Sequence, residues 1–571
     1  MAGLIRSWRS ISRPIRSLGL ASVLLLVLVG GPGRTAGIPA ASAAHAGVTM
    51  GGTLVIDNEA GALWTGNYNP FSPATNAESE GIIYEPLVYL NPLTNKVTPW
   101  LATGYQWSNG DKTLTFTIRS GVQWSDGQPF SAADVVFTFD LMKKFPAADL
   151  QAVWSVLKGV QQQGSNQVVF TFAQSAVPFF YFIADLNGIV AQHIWSKVAN
   201  PITYDDSHPV GTGPFLLDVA DSSPQTITYV RNPHYWQPGK PYLDKVLYPA
   251  FTSNPPANLL LAEGKADWGG QFIPNINAYY VARDKANNHY WFPAIGNVSL
   301  YLNQTVAGLS NKLVRQAIAY AIDRQRVSQL GEYGYEPAAN QSGIVLPTDA
   351  SWYDSAQAAT YGYSYNPQKA ISLLEQAGAK KNSAGVFVLN GKPLSFTVIN
   401  NGGNTDWVSS LEIISTELKQ VGIDVSVENL SQTDYNNRAY NGQFDMLYDW
   451  PPVFGPNPYY ELRETLCSCN SAPIGKPAST NWERWNDPQT DALFQQFAAT
   501  TDSATQRSII DKVQAIMLEN VPVVPVTEAV AWFQYSTAKF AGWPTPQNPY
   551  ASPAPYLYPD WEVVLTTVHL K

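Results

Sequence analysis

The chain has 571 residues, room for two to four domains at roughly 100–200 residues each. Hydrophobic residues make up 45% of it and charged residues only 14%, which excludes a disordered chain and a small disulfide-stapled scaffold. The formal net charge is −9, and all five basic residues before position 50 (Arg6, Arg9, Arg13, Arg16 and Arg34) lie in a stretch without acids; taking them from the 35 Lys and Arg leaves 30 against 44 Asp and Glu, a sign that repels nucleic acid and anionic lipid. No nucleic-acid partner is expected.

Residues 1–46 read as an address. Four arginines precede an apolar run from Leu18 to Val29, and small residues follow at Ala41-Ser42-Ala43 and Ala44-His45-Ala46, the three-part layout of an export signal. The run is too short to span the ~30 Å of membrane hydrocarbon comfortably. The mature protein is therefore expected outside the cytoplasm, periplasmic or extracellular, or tethered if the signal stays uncleaved. No cysteine lies near the signal to carry a lipid.

Thr53 to Ile56 reads as a first strand, and Leu114-Thr115-Phe116-Thr117-Ile118 alternates with period two as a half-buried strand. Asp126-Gly127 marks a turn. Ser131 with Asp134 three residues on forms a capping box for a helix through Val135, Val136 and Phe139. Val314, Ile318 and Ile322 give helical spacing to Leu313–Val327, and Asn366-Pro367 opens another helix that Gly378 stops. Leu394 to Ile399 predicts a strand, Gly402-Gly403 a loop, Leu411 to Val421 a helix stopped by Gly422, and Ile423 to Val427 a second strand. A strand, helix, strand unit of this kind makes a right-handed parallel crossover, whose loops at the strand carboxyl ends, here 400–406, are ordinary places for ligands. The Pro-rich stretch from Trp543 to Asp560 is expected as an extended surface segment packed through Trp543, Tyr556 and Trp561.

Catalytic signatures are missing. There is no phosphate-cradling loop ending in Lys and Ser or Thr, no His-Glu-x-x-His and no Gly-x-Ser-x-Gly, and the six histidines are scattered. Cys467 and Cys469 either close a small ring or stay reduced, and no further ligands beside them suggest a metal. No metal and no cofactor is expected. Paired carboxylates for glycoside cleavage stay open, since two acids can meet from any sequence distance.

An ordered set of strings carries a resemblance: Trp100-Leu101-Ala102, Leu114 to Arg119, Val122-Gln123-Trp124-Ser125-Asp126-Gly127-Gln128-Pro129-Phe130, Pro209-Val210-Gly211-Thr212-Gly213-Pro214-Phe215, Arg231-Asn232-Pro233-His234-Tyr235-Trp236, the helix Val314 to Arg324, and Phe444-Asp445-Met446 with Trp450. The chain resembles family 5 of the extracytoplasmic solute-binding proteins of ABC importers, the group with oligopeptide-, dipeptide- and nickel-binding members. Most of these strings read as scaffold, Gly211 and Gly213 as allowing special backbone angles or close approach in a tight turn and Asp323 with Arg324 as the end of a helix.

The resemblance implies an α/β, two-lobed periplasmic-binding-protein fold (type II, cluster C) with an additional α+β domain. Lobe I would take 48–84, 206–303 and 530–571, the extra domain 85–205 and lobe III, the second α/β lobe, 304–529. Lobe closure would capture an oligopeptide or similar-sized solute, without chemistry, for delivery to ABC permease subunits in the membrane, and the receptor would act as a monomer. The alternatives are a neutral oligosaccharide receptor of the same family and a secreted carbohydrate-active enzyme with an aromatic cleft.

Peptide-binding relatives place an aspartate three residues after the tryptophan matched by Trp450, where it meets the peptide ammonium; here that position is Val453. A buried charge without its partner costs on the order of 2–5 kcal/mol, so a free peptide N-terminus is not obviously accommodated. Asp449 could replace the acid, although neighbouring strand residues face opposite ways. The resemblance and the aromatic surplus nominate Trp450 as a stacking wall, Phe71 on the Asn69-Pro70-Phe71 loop, and Asn481 in Asn481-Trp482-Glu483-Arg484-Trp485. Tyr448 and Asp449 are further candidates, with a plain surface role as the competing reading.

Overall fold

The computed structural model describes residues 48–571 apart from 60, 73–74, 76–80, 451–454 and 479. The export signal and Val453 lie outside the described residues.

The first lobe is built on a seven-stranded sheet. Its middle strand, Thr53–Glu59, runs parallel to Lys245–Phe251 on one side and to Trp268–Gly269 on the other. Antiparallel strands extend it, Thr226–Arg231 and Phe215–Leu217 on one flank, Gln534–Ser536 and Asn288–Tyr290 on the other. Leu54 and Ile56, two apart and so on one face of the strand, are fully buried.

The second lobe holds a five-stranded sheet in the order Asp424–Leu430, Ser395–Asn401, Met446–Asp449, Ala294–Leu302, Val523–Val530. Ser395–Asn401 is parallel to both neighbours, and the helix Thr405–Val421 makes the crossover to Asp424–Leu430 that the sequence pattern predicts. The apolar period of that helix buries Trp407, Leu411, Ile414, Leu418 and Val421. Burial of each Leu or Ile contributes roughly 1.5–3 kcal/mol. Gly422 ends it with φ at 95°, a left-handed angle that glycine adopts without strain.

A third, four-stranded antiparallel sheet joins Ala102–Ser108, Thr113–Ile118, Gln167–Phe172 and Leu157–Gln163, with the helix Ala132–Lys144 packed beside it. The capping box forms: the Ala133 N–H donates to Ser131 Oγ at 3.3 Å, and the Ser131 N–H donates to Asp134 Oδ2 at 2.8 Å. Two α/β lobes and an additional α+β unit are the architecture the resemblance implies.

The chain crosses between the two larger sheets twice. It leaves Asn288–Tyr290 for Ala294–Leu302, and it returns from Val523–Val530 to Gln534–Ser536. The crossing segments are hydrogen-bonded to each other, Ala531 N–H to Pro293 O at 2.9 Å and Trp291 N–H to Phe533 O at 3.0 Å. Phe292 and Trp532 meet edge-on between them, 4.8 Å apart. Ala294–Leu302, which the resemblance places with lobe I, is hydrogen-bonded on both edges within the second lobe's sheet.

Four expectations change on contact with the structure. Leu313–Val327 is two helices, Lys312–Ala321 and Arg324–Leu330, because Asp323 leaves the helical conformation and its carboxylate accepts from the Arg326 N–H at 3.2 Å. Asp323 and Arg324 thus begin a helix rather than end one. The tail is no surface segment over 551–555, which is buried: Trp268 Nε1 donates to Pro553 O at 2.9 Å and the Tyr248 hydroxyl to Pro555 O at 3.3 Å. Of the two readings for Gly211 and Gly213, the structure favours close approach over a special turn angle, since a Cβ on Gly211 would collide with the Ile83 carbonyl and one on Gly213 with the Ile82 carbonyl. The sequence leaves Cys467 and Cys469 open, and the structure joins them in a disulfide.

Candidate ligand-binding cleft

The carboxyl end of the central parallel strand turns toward the first lobe. After Asn400 and Asn401 the chain makes the Gly402-Gly403 loop and enters the helix Thr405–Val421. Asn401 holds the loop, accepting the Gly403 N–H on Oδ1 at 3.0 Å and donating through Nδ2 to Gln432 Oε1 at 2.6 Å. Across the cleft stands Asn254, first residue of the first-lobe helix Asn254–Ala262. Its N–H donates to Gly403 O at 3.2 Å, and its Nδ2 lies 3.3 Å from Thr405 Oγ1 and 3.4 Å from Asp406 Oδ1. A second bridge is aromatic: Trp450 meets Tyr556 of the first-lobe tail edge-on at 6.3 Å. The two lobes touch at both places.

Tyr448, Asp449 and Trp450 come together at the end of Met446–Asp449, and the strand's alternation sends them different ways. Trp450 is half-buried against the second lobe's core and faces the cleft through Tyr556. Tyr448 is fully buried and packs edge-on against Trp407 at 5.6 Å. Asp449 points to the other side, where Oδ2 accepts from the Tyr435 hydroxyl at 2.7 Å and Oδ1 from the Trp450 N–H at 2.8 Å. Burial pushes the Asp449 carboxyl up to about 7, against the Tyr435 hydrogen bond that pulls it down. Tyr448, fully buried, does not have the surface role held as the competing reading; Asp449 is half-buried and hydrogen-bonded on both oxygens.

Phe71 and Asn481 stand apart from that group. Phe71 is buried edge-on against Trp195 at 5.1 Å, and its loop is tied down by Asn69, whose Nδ2 donates to Pro201 O and Tyr204 O at 2.6 and 2.7 Å. Asn481 is buried and donates to Cys467 O and Trp485 O at 2.9 and 2.8 Å, cross-linking the backbone around the disulfide. Its neighbour Trp482 packs on Tyr301 at 5.4 Å. Both candidates hold loops in shape.

The structure adds residues that the sequence reading missed: Asn254, Tyr556, Glu332, Glu336 and Asp406. Glu332 Oε1 accepts from the Ser410 hydroxyl at 2.6 Å and Glu336 Oε2 from the Thr527 hydroxyl at 2.7 Å. In the sequence Asp406 is only the end of the 400–406 loop. Glu332 and Glu336 sit four apart in a Gly- and Tyr-rich stretch with no periodic signal, and nothing in the sequence joins them to a residue seventy positions away. Among the described residues no group of three or more His, Cys, Asp or Glu has the arrangement of a metal site. Two open depressions, about 410 and 580 Å³, lie elsewhere, beside His193 and Tyr204.

Comparison with known proteins agrees with this geometry. The profile of bacterial extracellular solute-binding proteins, family 5, matches residues 96–471. The dipeptide-binding protein of Escherichia coli K12 is 25% identical over 494 residues, covering 81% of this chain and 88% of that protein. The nickel-binding periplasmic protein of the same organism is 26% identical over 429 residues, 70% of this chain and 77% of that one. Among solved structures, the periplasmic oligopeptide-binding protein of a Thermotoga maritima oligopeptide ABC transporter, with mannohexaose bound, superposes with a TM-score of 0.85 at 26% identity over 91% of this chain and 98% of that one. The oligopeptide-binding protein AppA from Bacillus subtilis, in complex with a nonapeptide, shares the fold with a TM-score of 0.76 at 20% identity, covering 92% of this chain and 100% of that one. These relatives are named as binding proteins, and among the described residues no helix is long and apolar enough to cross a membrane. Fold, cleft and sequence thus converge: the chain belongs to family 5 of the bacterial extracellular solute-binding proteins.

Proposed function

We propose that this protein works outside the cytoplasmic membrane as the substrate-binding subunit of an ABC importer, capturing an oligopeptide or a solute of similar size and presenting it, as a monomer, to the permease subunits. The supporting observation is the pair of interlobe contacts, Asn254 on Gly403, Thr405 and Asp406 and Trp450 on Tyr556, at the mouth of two lobes joined by two crossing segments. Separation of those contacts about the crossing segments opens the cleft, and a ligand that contacts both walls favours closure by its differential affinity for the closed form. We assign 48–84, 206–303 and 530–571 to lobe I, 85–205 to the extra domain and 304–529 to the second lobe, except that the strand Ala294–Leu302 moves from lobe I to the second lobe. Residues 1–46 act as the export signal.

A neutral oligosaccharide is the second reading. Asp449 already accepts hydrogen bonds on both oxygens, Trp450 and Tyr556 offer aromatic faces, and a relative of 26% identity is described with mannohexaose bound. Native mass spectrometry of protein purified from its host, followed by calorimetric titration with nonapeptides and with mannohexaose, tests both. One equivalent of a co-purified peptide or saccharide, returned unchanged, is the expected result. Turnover of either, or stoichiometric binding of neither by a correctly folded protein, overturns the reading.

A further inference from the structure

Glu332, Glu336 and Asp406 form a group of buried carboxyls behind the Asn254 contact, 0%, 2% and 4% exposed. They come from separate places in the second lobe: the segment after the helix Arg324–Leu330, and the first turn of Thr405–Val421. From that lobe they meet only neutral donors and further acid: the Ser410 and Thr527 hydroxyls, the Asp406 and Trp407 N–H groups, the Val530 backbone, the Tyr448 phenol and the Glu528 carboxyl. From the first lobe Asn254 touches Asp406, and the Tyr556 phenol, which accepts the Trp532 N–H at 3.2 Å, feels both Glu336 and Asp406. Among the described residues, no lysine, arginine or histidine is among the leading groups acting on the three acids. Three carboxylates brought together in a dry contact without a cation cannot all stay ionised.

We propose that this cluster couples lobe closure to proton uptake, the closed cleft holding protons that the open cleft releases. The inference rests on the hinged closure proposed above. Part of the cover over Asp406 is Asn254, and the first-lobe face of the cluster is Tyr556, so opening admits water and returns the acids toward ordinary carboxyl behaviour. In the closed form burial raises all three, Asp406 to about 7 and Glu336 to about 8, and repulsion from neighbouring acids adds to the rise at Glu332 and Glu336. The closed form therefore binds more protons than the open form between the ordinary carboxyl range, roughly 4, and about 7–8. Closure is favoured on the acid side of that window and weakens as pH rises, by up to about tenfold in the closure equilibrium per pH unit for each proton involved.

Small-angle scattering of the ligand-free full-length mature chain between pH 4.5 and 9 tests this. The expected result is a radius of gyration, about 24 Å for a chain this size, that increases as pH rises through 7. Asp406→Asn, which mimics the protonated acid, is expected to stay compact to higher pH; Glu336→Gln serves the same purpose if that variant does not fold. Glu562→Gln, in a buried acid pair remote from the cleft, is expected to leave the profile unchanged. A flat profile in the parent protein, an unaltered one in both cleft variants, or one altered equally by Glu562→Gln overturns the proposal. Compaction by nonapeptide or mannohexaose at pH 8.5 separates the two ideas: if it occurs beside a flat pH profile, proton coupling fails and hinged capture stands, whereas its absence at every pH removes both.

Discussion

Asn481 and Trp450 were nominated for the same job and occupy different positions in the molecule. Asn481 donates to two buried carbonyls around the Cys467–Cys469 loop. Asn481→Ala strands both acceptors, and is expected to lower stability by about 2–4 kcal/mol in urea unfolding, with a smaller effect on ligand affinity in the fraction that stays folded. Trp450→Ala should do the reverse. It removes an interlobe edge contact of about 0.5–1.5 kcal/mol and the proposed stacking wall, so affinity measured by titration falls on the order of tenfold or more while the unfolding midpoint moves little. Gly211→Ala drives a methyl into the Ile83 carbonyl, and a loss of at least 1–3 kcal/mol, about the range for overpacking, is expected in the same unfolding assay. At this scale the sequence was legible where one residue's own chemistry decided the outcome, as with the Ser131 and Asp134 capping box. It was not legible where the partner was remote: no local signal ties Asp406 to Asn254, 152 positions away.

At the scale of elements, periodicity located the parallel unit over 394–427 because strand, helix and stop signals agreed with one another. It failed at Leu313–Val327, where the apolar spacing runs through a two-residue break at Ile322 and Asp323. Asp323 competes with the helix for its own backbone by accepting the Arg326 N–H, while its N–H donates to Glu417 Oε2 at 2.9 Å. Composition also misplaced the tail, since a Pro-rich strip reads as exposed unless one knows that Trp268 and Tyr248 wait to donate to its carbonyls. Where a cap is both signalled and formed, its contribution is measurable. Ser131→Ala is expected to cost about 1 kcal/mol, seen as a lower urea midpoint with ligand binding unchanged, because the interlobe contacts of Asn254 and Trp450 do not involve the helix Ala132–Lys144.

Across the whole molecule, buried acid outweighs buried base, and the seam between the C-terminal helix Asp560–Leu565 and the 85–205 region shows the consequence most clearly. Trp100 Nε1 donates to Oε1 of both Glu85 and Glu562, at 2.8 and 3.1 Å, and the Tyr235 hydroxyl lies 3.0 and 3.4 Å from the same two atoms. Trp236 Nε1 lies 2.9 Å from Glu85 Oε1, with the Arg119 guanidinium 4.2 Å over its ring, and Lys240 acts on Glu562. Two carboxyls this close and this dry retain a proton between them, and burial raises both. Nearby, Asp560 accepts from the Tyr89 hydroxyl and the Ser552 N–H at 2.7 Å each and is pushed by burial to about 7, and Asp185 is raised for the same reason. A carboxyl whose pKa is higher in the folded than in the unfolded chain holds its proton more tightly when folded. Its contribution is complete below the unfolded value, roughly 4, and for Asp560 is lost as pH climbs from there to about 7. Each such proton removes about 1.4 kcal/mol of stability per pH unit inside its window. Urea midpoints are accordingly expected to be higher at pH 5 than at pH 8. Glu562→Gln, which fixes the pair in a neutral-plus-charged state without needing a proton, should retain more of its acid-side stability at pH 8 than the parent does. A midpoint that rises toward pH 8, or an identical slope in the variant, would show that the seam does not set the molecule's response to acid.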